Sequence, residues 1–204
     1  MNKKAIELSV NFIVVLILSM VIFTGGIVLS YKFFGKAQEY RNQIDSDTEA
    51  QIERILSGGE KVAIPRNRKD IKIGGSYVFG LGIFNGLGSE QDFQVSMAFD
   101  DAFDVTNSPI GDADGTFIDN HWILKEERTH VINNNNHAKI GLYVQVDNRI
   151  SNTVSTRPGT YIFNVCICQS DSCDEVTPCC VPCGPEPTYP FYDRSVQKIY
   201  VTVP

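Results

Sequence analysis

From Leu8 to Tyr31 the chain runs for 24 consecutive residues without a single charge. No other feature constrains the chain as strongly. Coiled as an α-helix rising ~1.5 Å per residue, the run reaches roughly 36 Å, enough to cross a ~30 Å hydrocarbon layer with some tilt. A cleaved secretory signal has an apolar stretch of only ~7–15 residues that ends in a small-x-small site. The run here is longer, and Val21 to Tyr31 offers no such site. A retained, single-pass membrane helix with lipid as its partner is the expectation.

The helical pattern continues past the run. Ala37, Tyr40, Ile44, Ile52 and Ile55 recur at steps of three, four and eight, with Thr48 filling the gap and charged or amide residues on the other faces. That spacing reads as an amphipathic helix. No proline interrupts residues 1–64, and Ser57-Gly58-Gly59 supplies a stop, because glycine accepts the left-handed conformation past a helix end. Residues 1–57 therefore read as a membrane helix and amphipathic stalk, with 5–57 one helix of roughly 80 Å.

Lys3-Lys4-Ala5-Ile6-Glu7-Leu8, leading straight into the uncharged run, resembles the start of type IV pilin-like proteins, archaeal pilin-like surface proteins among them. Such proteins combine a short basic leader, an Ile-Glu-Leu-type motif and a long helix, half apolar and half amphipathic, bearing a β-rich head. The resemblance covers the first quarter of the chain. It implies a filament subunit that associates with copies of itself through the N-terminal helix, with Glu7 pairing with a neighbouring subunit's N-terminal amine during assembly. Read from the residues alone, Glu7 is a carboxylate at the bilayer edge that reaches back to the headgroups near Lys3 and Lys4. In the bacterial pattern the glutamate sits five residues after a cut that follows glycine or alanine. Counting back from Glu7 meets Asn2, so an anchor without that cleavage is the expectation.

Charge narrows the partners. Residues 1–35 hold Lys3, Lys4, Lys32 and Glu7; the remainder carries 15 basic and 23 acidic side chains, a net of −8. A domain so acidic lacks the basic footprint that phosphate recognition needs, so nucleic acid is excluded as a partner. Lysines and arginines flank the helix on both sides and leave its orientation undecided by charge. The cysteines decide it, as argued below.

Beyond Gly59 the period changes to two. Tyr77, Phe79, Leu81 and Ile83 alternate with Val78, Gly80, Gly82 and Phe84; Phe93, Val95, Met97 and Phe99 alternate with polar residues. Phe117, Ile118, Trp122 and Leu124 begin a third run, followed by Thr129 to Ile132, Ile140 to Val146, Tyr161 to Ile167 and Ile199 to Val203. Short strands separated by glycine and asparagine turns argue for an antiparallel β-sandwich over residues 60–204, with Trp122 as a core anchor. Lys72 to Phe79, Arg157 to Val165 and Lys198 to Val203 look like the early, penultimate and last strands of Ig-like, fibronectin- or CARDB-type surface modules. The fold class is thus mainly β, an Ig-like sandwich preceded by a long N-terminal helix.

All six cysteines, Cys166, Cys168, Cys173, Cys179, Cys180 and Cys183, fall within eighteen residues, in a Cys/Pro-rich loop spanning 166–193. An even number beyond a membrane anchor reads first as disulfides in an oxidising compartment, which places the C-terminal domain outside the cell and the N-terminus in the cytoplasm. Six cysteines allow fifteen pairings, and the sequence does not choose among them. Cys166 and Cys168 are two apart on a strand and should share a face, each free to reach a different loop cysteine. Metal is the sharper alternative: Cys166-x-Cys168 with Cys180-x-x-Cys183 supplies four thiolates, although the spacing is unlike paired Cys-x-x-Cys knuckles. Redox chemistry at Cys180-Val-Pro-Cys183 is the other, although such motifs open a helix and here prolines surround it.

Other motifs carry less. Asp112-Ala-Asp114-Gly-Thr116 matches a phosphatase-like Asp-x-Asp-x-Thr string but follows a turn instead of a buried strand. With Asp100, Asp101, Asp104 and Asp119 it offers oxygens to Ca²⁺ without the EF-hand spacing. His121, His130 and His137 are nine and seven apart, nothing in the pattern pairs them with a nucleophile or a second metal ligand, and no Walker, Rossmann or serine-hydrolase motif occurs. The expectation is a non-enzymatic, cofactor-free cell-surface protein. It is either a pilin-like subunit or a solitary tethered adhesion module, with a metal-binding or redox protein as the rival class.

Overall fold

The computed structural model describes residues 12–24, 44–124, 129–169, 192–193 and 196–204. The chain divides into two compact units, Met1–Arg41 and Asn42–Pro204. In the first, residues 12–24 form helix α1. The rest of the uncharged run lies outside the described residues, as does Glu7. Among the described residues no helix is long and apolar enough to cross a membrane.

The second unit opens with α2, Ser46–Ser57. A single unbroken helix over 5–57 is corrected here, because Ile44 and Asp45 are not helical. Asp45 is extended (φ −65°, ψ 148°) and its carboxylate caps α2, accepting from Thr48 N at 2.8 Å and from Thr48 Oγ1 at 2.9 Å. Apolar periodicity runs across this point without registering it. A short acidic side chain that satisfies a first-turn amide starts a new helix here. The backbone N–H of Gly58 bonds back to Arg54 and Ile55, and Gly59 turns the chain out at φ +101°.

Among the described residues eight strands follow: β1 Val62–Ala63, β2 Arg68–Asp70, β3 Ser76–Phe84, β4 Gln91–Asp104, β5 Thr129–Ile132, β6 His137–Gln145, β7 Gly159–Gln169 and β8 Gln197–Val203. They form two sheets, β1-β3-β6 and β2-β8-β7-β4-β5. All pairings are antiparallel except β2 with β8. The alternating apolar sets meet between the sheets: Phe79, Leu81 and Ile83 of β3 share one core with Phe93 and Val95 of β4, Phe163 and Val165 of β7, and Ile199 and Val201 of β8. The fold is an Ig-like β-sandwich. Tyr161 supplies a tyrosine corner near the start of the penultimate strand, its hydroxyl donating to Arg157 O at 3.0 Å and accepting from Arg157 N at 3.3 Å. Trp122 is fully buried against Tyr161 and Phe163, with its indole N–H donating to Arg149 O at 3.0 Å.

The third apolar run is not a strand. Residues Gly115–His121 form helix α3, and Asp114 caps it, Oδ1 accepting from Thr116 N at 3.0 Å and Phe117 N at 3.2 Å. Phe117 and Ile118 are buried on it and Trp122 stands at its C-terminal cap. Ile118 and Trp122, four apart, suit one face of a helix, and the aspartate that looked like a candidate ligand is the residue that starts it.

Candidate functional site

Strand β7 carries the chemistry. Its odd-numbered residues Tyr161, Phe163, Val165 and Ile167 fill the core, so Ile162, Asn164, Cys166 and Cys168 point to the outward face of the five-stranded sheet. Opposite them in β4 stand Asp101, Ala98, Ser96 and Gln94, and on the other side, in β8, Tyr200 faces Ile162 and Lys198 faces Asn164. Cys166 and Cys168 do share this face, and each is in a disulfide bond. Cys173, Cys179, Cys180 and Cys183 lie outside the described residues. Cys166 is nearly completely buried although it faces away from the core.

The two ends of the cysteine-rich segment are held together. The described part of β7 ends at Gln169, and Tyr192 N donates to Ile167 O at 2.9 Å. The Tyr192 hydroxyl donates to Phe84 O at 2.6 Å and accepts from Gly86 N at 3.2 Å, while its ring packs edge-on against Phe93. Beside it Asn85, fully buried, donates to Ser89 O and Ile132 O and accepts from Leu87 N. These contacts fix where the chain stands before and after residues 170–191, which lie outside the described residues.

On the same outward face a β-bulge in β4 changes the register between Phe99 and Asp101. The extra residue is Asp100. Its carboxylate takes one bond on each oxygen: Asn164 Nδ2 donates to Oδ1 at 2.9 Å and Lys198 Nζ to Oδ2 at 2.9 Å. The contact with Asp100 raises the pKa of the Lys198 amine above the ordinary lysine value, against the opposing effect of burial. Asn164 is 5% exposed, and its Oδ1 is a buried oxygen with no hydrogen-bond partner among the described residues. This cluster is not legible as a site in the sequence, where Asp100 is only one of several acids offered to Ca²⁺.

The other acids of that set have structural partners. Asp112 pairs with Arg157 at 2.9 Å, Asp114 caps α3, Asp119 accepts from Phe99 N at 2.6 Å, Asp101 accepts from Ala102 N at 2.8 Å, and Asp104 accepts from Thr106 and Ser108 in a surface turn that lowers its pKa. Among the described residues no group of three or more His, Cys, Asp or Glu is placed to hold a metal ion. The histidines do not converge: His121 stacks on Phe117, His130 sits in β5 where burial lowers its pKa, and His137 begins β6.

On the outward face of the other sheet the arrangement is apolar. Ile52 and Leu56 of α2 are buried there with Ala63, and the partly buried Phe84, Ile44 and Ile55 pack against them. The helix approaches because β3 has glycine at two outward positions. A Cβ on Gly80 would lie 2.7 Å from Thr48 Cγ2, and one on Gly82 would overlap Ile52 and lie 3.0 Å from Leu56 Cδ1. At the helix edge Lys139 Nζ bonds Glu53 at 2.6 Å and lies 3.6 Å from Glu49.

No protein-family model matches the sequence, and no curated protein matches it. Solved structures resemble it distantly. A family 123 glycoside hydrolase from Clostridium perfringens is 11% identical, with 68% of this chain covered and a TM-score of 0.36; this chain spans only 23% of that one. WR4, a C. elegans member of the MSP family, is 9% identical over 71% of this chain and 99% of its own, with a TM-score of 0.35. The CssB subunit of colonization factor CS6 from enterotoxigenic Escherichia coli, complemented with a donor strand from CssA, is 9% identical over 71% of this chain and 97% of its own, with a TM-score of 0.36. Likenesses this weak carry no argument about function. The class of the protein, an Ig-like β-sandwich with a helix on one face, rests on its own topology.

Proposed function

We propose that the protein is a membrane-anchored structural protein of the cell surface, a type IV pilin-like filament subunit whose apolar N-terminal helices pack together while the sandwich faces outward. One observation carries this reading. Helix α1 is apolar on every side and exposed on every side: Phe12, Val15, Met20, Val21, Ile22 and Phe23 are each more than 60% exposed. A helix with no polar face does not remain in water; it needs hydrocarbon or other apolar helices around it. Its hydroxyls suit that surrounding. Ser19 Oγ donates to Leu16 O at 2.8 Å and Thr24 Oγ1 to Met20 O at 2.8 Å, so neither needs a partner outside the helix.

In this reading the N-terminus is cytoplasmic and lipid is the first partner, with copies of the same helix as the second. Glu7 serves assembly. Cys166 and Cys168 each pair with a different one of Cys173, Cys179, Cys180 and Cys183, the remaining two pair with each other, and the three disulfides brace the Cys/Pro-rich segment in an oxidising space. The role is structural and not catalytic. Membrane fractionation together with electron microscopy of surface filaments tests it. The protein should partition with membranes and label filaments. Recovery of lone, detergent-extracted monomers from cells without filaments would leave the second reading, a solitary tethered adhesion module, and recovery from the cytosol with six free thiols would end both.

A further inference from the structure

Lys198 and Asn164 are register partners on adjacent strands, and both side chains lie on the outward face of the sheet. Directly paired residues on one face have Cβ atoms about 4.5–5.5 Å apart. Both are also tied to a single carboxylate, the amine on one oxygen of Asp100 and the amide nitrogen on the other. Bulges commonly re-aim a side chain, and the one in β4 aims Asp100 at this pair. A structural asparagine at this depth would be expected to satisfy both ends of its amide. Asn164 satisfies only the nitrogen.

We propose that these three residues form an autocatalytic cross-link, an isopeptide bond between Lys198 Nζ and Asn164 Cγ whose proton transfers are carried by Asp100. The lysine ammonium first passes a proton to Asp100 Oδ2, leaving a neutral amine beside a carboxylic acid. The Nζ lone pair then attacks Asn164 Cγ, and the C=O electron pair moves onto Oδ1. The tetrahedral centre collapses by restoring C=O and breaking the bond from Cγ to Nδ2. The departing nitrogen takes the second proton lost by Nζ and leaves as ammonia, which then accepts the proton held by Asp100. The balance is one ammonium ion and one amide from one ammonium side chain and one carboxamide. No oxidant, metal or cofactor enters. The ammonium form that Asp100 favours is the resting state, so the bond forms slowly during maturation and persists, because an amide does not revert readily.

The link also gives the fold something. It would close a ring of chain from Asn164 to Lys198, and that ring contains all six cysteines and Tyr192. A disulfide protects the excursion only while it is oxidised; an amide at its base would hold β7 to β8 under reduction or pull. The inference stands apart from the membrane reading and survives its failure.

Intact-mass measurement of the full chain, purified in detergent, denatured and fully reduced, tests it. The expected mass is the sequence mass less one ammonia, and fragmentation of a protease digest should yield a branched peptide joining Asn164 to Lys198. Lys198→Arg keeps the charge on Asp100 but has no amine able to close the bond, and should return to its full sequence mass. Asp100→Asn should slow or abolish closure while leaving both reacting groups in place. A wild-type chain at full sequence mass overturns the proposal. So does an ammonia loss that survives Lys198→Arg, since that would be an imide formed within Asn164 itself.

Discussion

The outward faces of the two sheets are built on the same alternating pattern and have opposite fates. On β3 the outward positions include Gly80, Gly82 and Phe84, which offer no polar side chain to water, and α2 covers them with Ile52 and Leu56. On β7 they are Ile162, Asn164, Cys166 and Cys168, flanked by Asp100 and Lys198, whose ion pair and hydrogen bond to Asn164 make this face largely polar. Period two tells only which residues share a side. What that side becomes depends on side-chain size on one sheet and on hydrogen-bonding groups on the other.

The comparison can be broken most sharply by truncation. Ile52 is fully buried between helix and sheet, and losing a buried isoleucine side chain costs about 2–5 kcal/mol. Ile52→Ala should therefore lower the stability of the head by about 3 kcal/mol in chemical denaturation. Ile162→Ala, on the other outward face and only half-buried, should cost about 1 kcal/mol or less. Equal losses would mean that the two faces are covered alike.

A substitution at the glycine seat is next. Gly82→Ala places a methyl group where Ile52 and Leu56 already stand, and overpacking costs about 1–3 kcal/mol. The distinguishing readout is hydrogen exchange: the amides of α2 should lose protection while those of β7 and β8 keep theirs. Asp45→Ala should have a smaller effect, about 1 kcal/mol, by removing the cap from α2. Its loss should appear first at the amides of Thr48 and its neighbours.

These positions also separate what was legible in the sequence from what was not. The strands were readable from β3 through β8, because each apolar residue on a core face adds to one periodic signal. The shared face of Cys166 and Cys168 followed from the same rule. The break at Asp45 and helix α3 were not readable, since both turn on a single aspartate whose side chain satisfies backbone amides two or three residues on. The Asp100 cluster was hidden for another reason. It depends on one extra residue in β4, and a bulge leaves no trace in a pattern of apolar positions. It also joins residues 64 and 98 apart in the chain, and nothing local marks either pairing.

The smallest expected effect is a pH response confined to the helix-covered face. The Lys139 side chain, through its hydrogen bond and charge, lowers the pKa of Glu53 below the usual glutamate value of 4.5, and Glu53 in turn raises that of Lys139. A depressed carboxylate pKa means that the folded state binds its proton less readily than the unfolded one. Its stabilisation is complete above the unfolded value and is lost as pH falls through the folded one. The raised lysine pKa acts in the opposite direction: its share is present below 10.5 and lost as pH rises through the folded value. Asp45 adds to the acid limb, because the amide of Thr48 lowers its pKa too. Exchange protection of α2 should therefore be flat through neutral pH, weaken below about 4.5 and weaken again in strong alkali. Glu53→Gln should remove part of both limbs while leaving the amides of β7 unchanged. An acid response of equal size in β7 and β8 would show that the helix and the five-stranded sheet loosen as one unit, and would erase the contrast between the two faces.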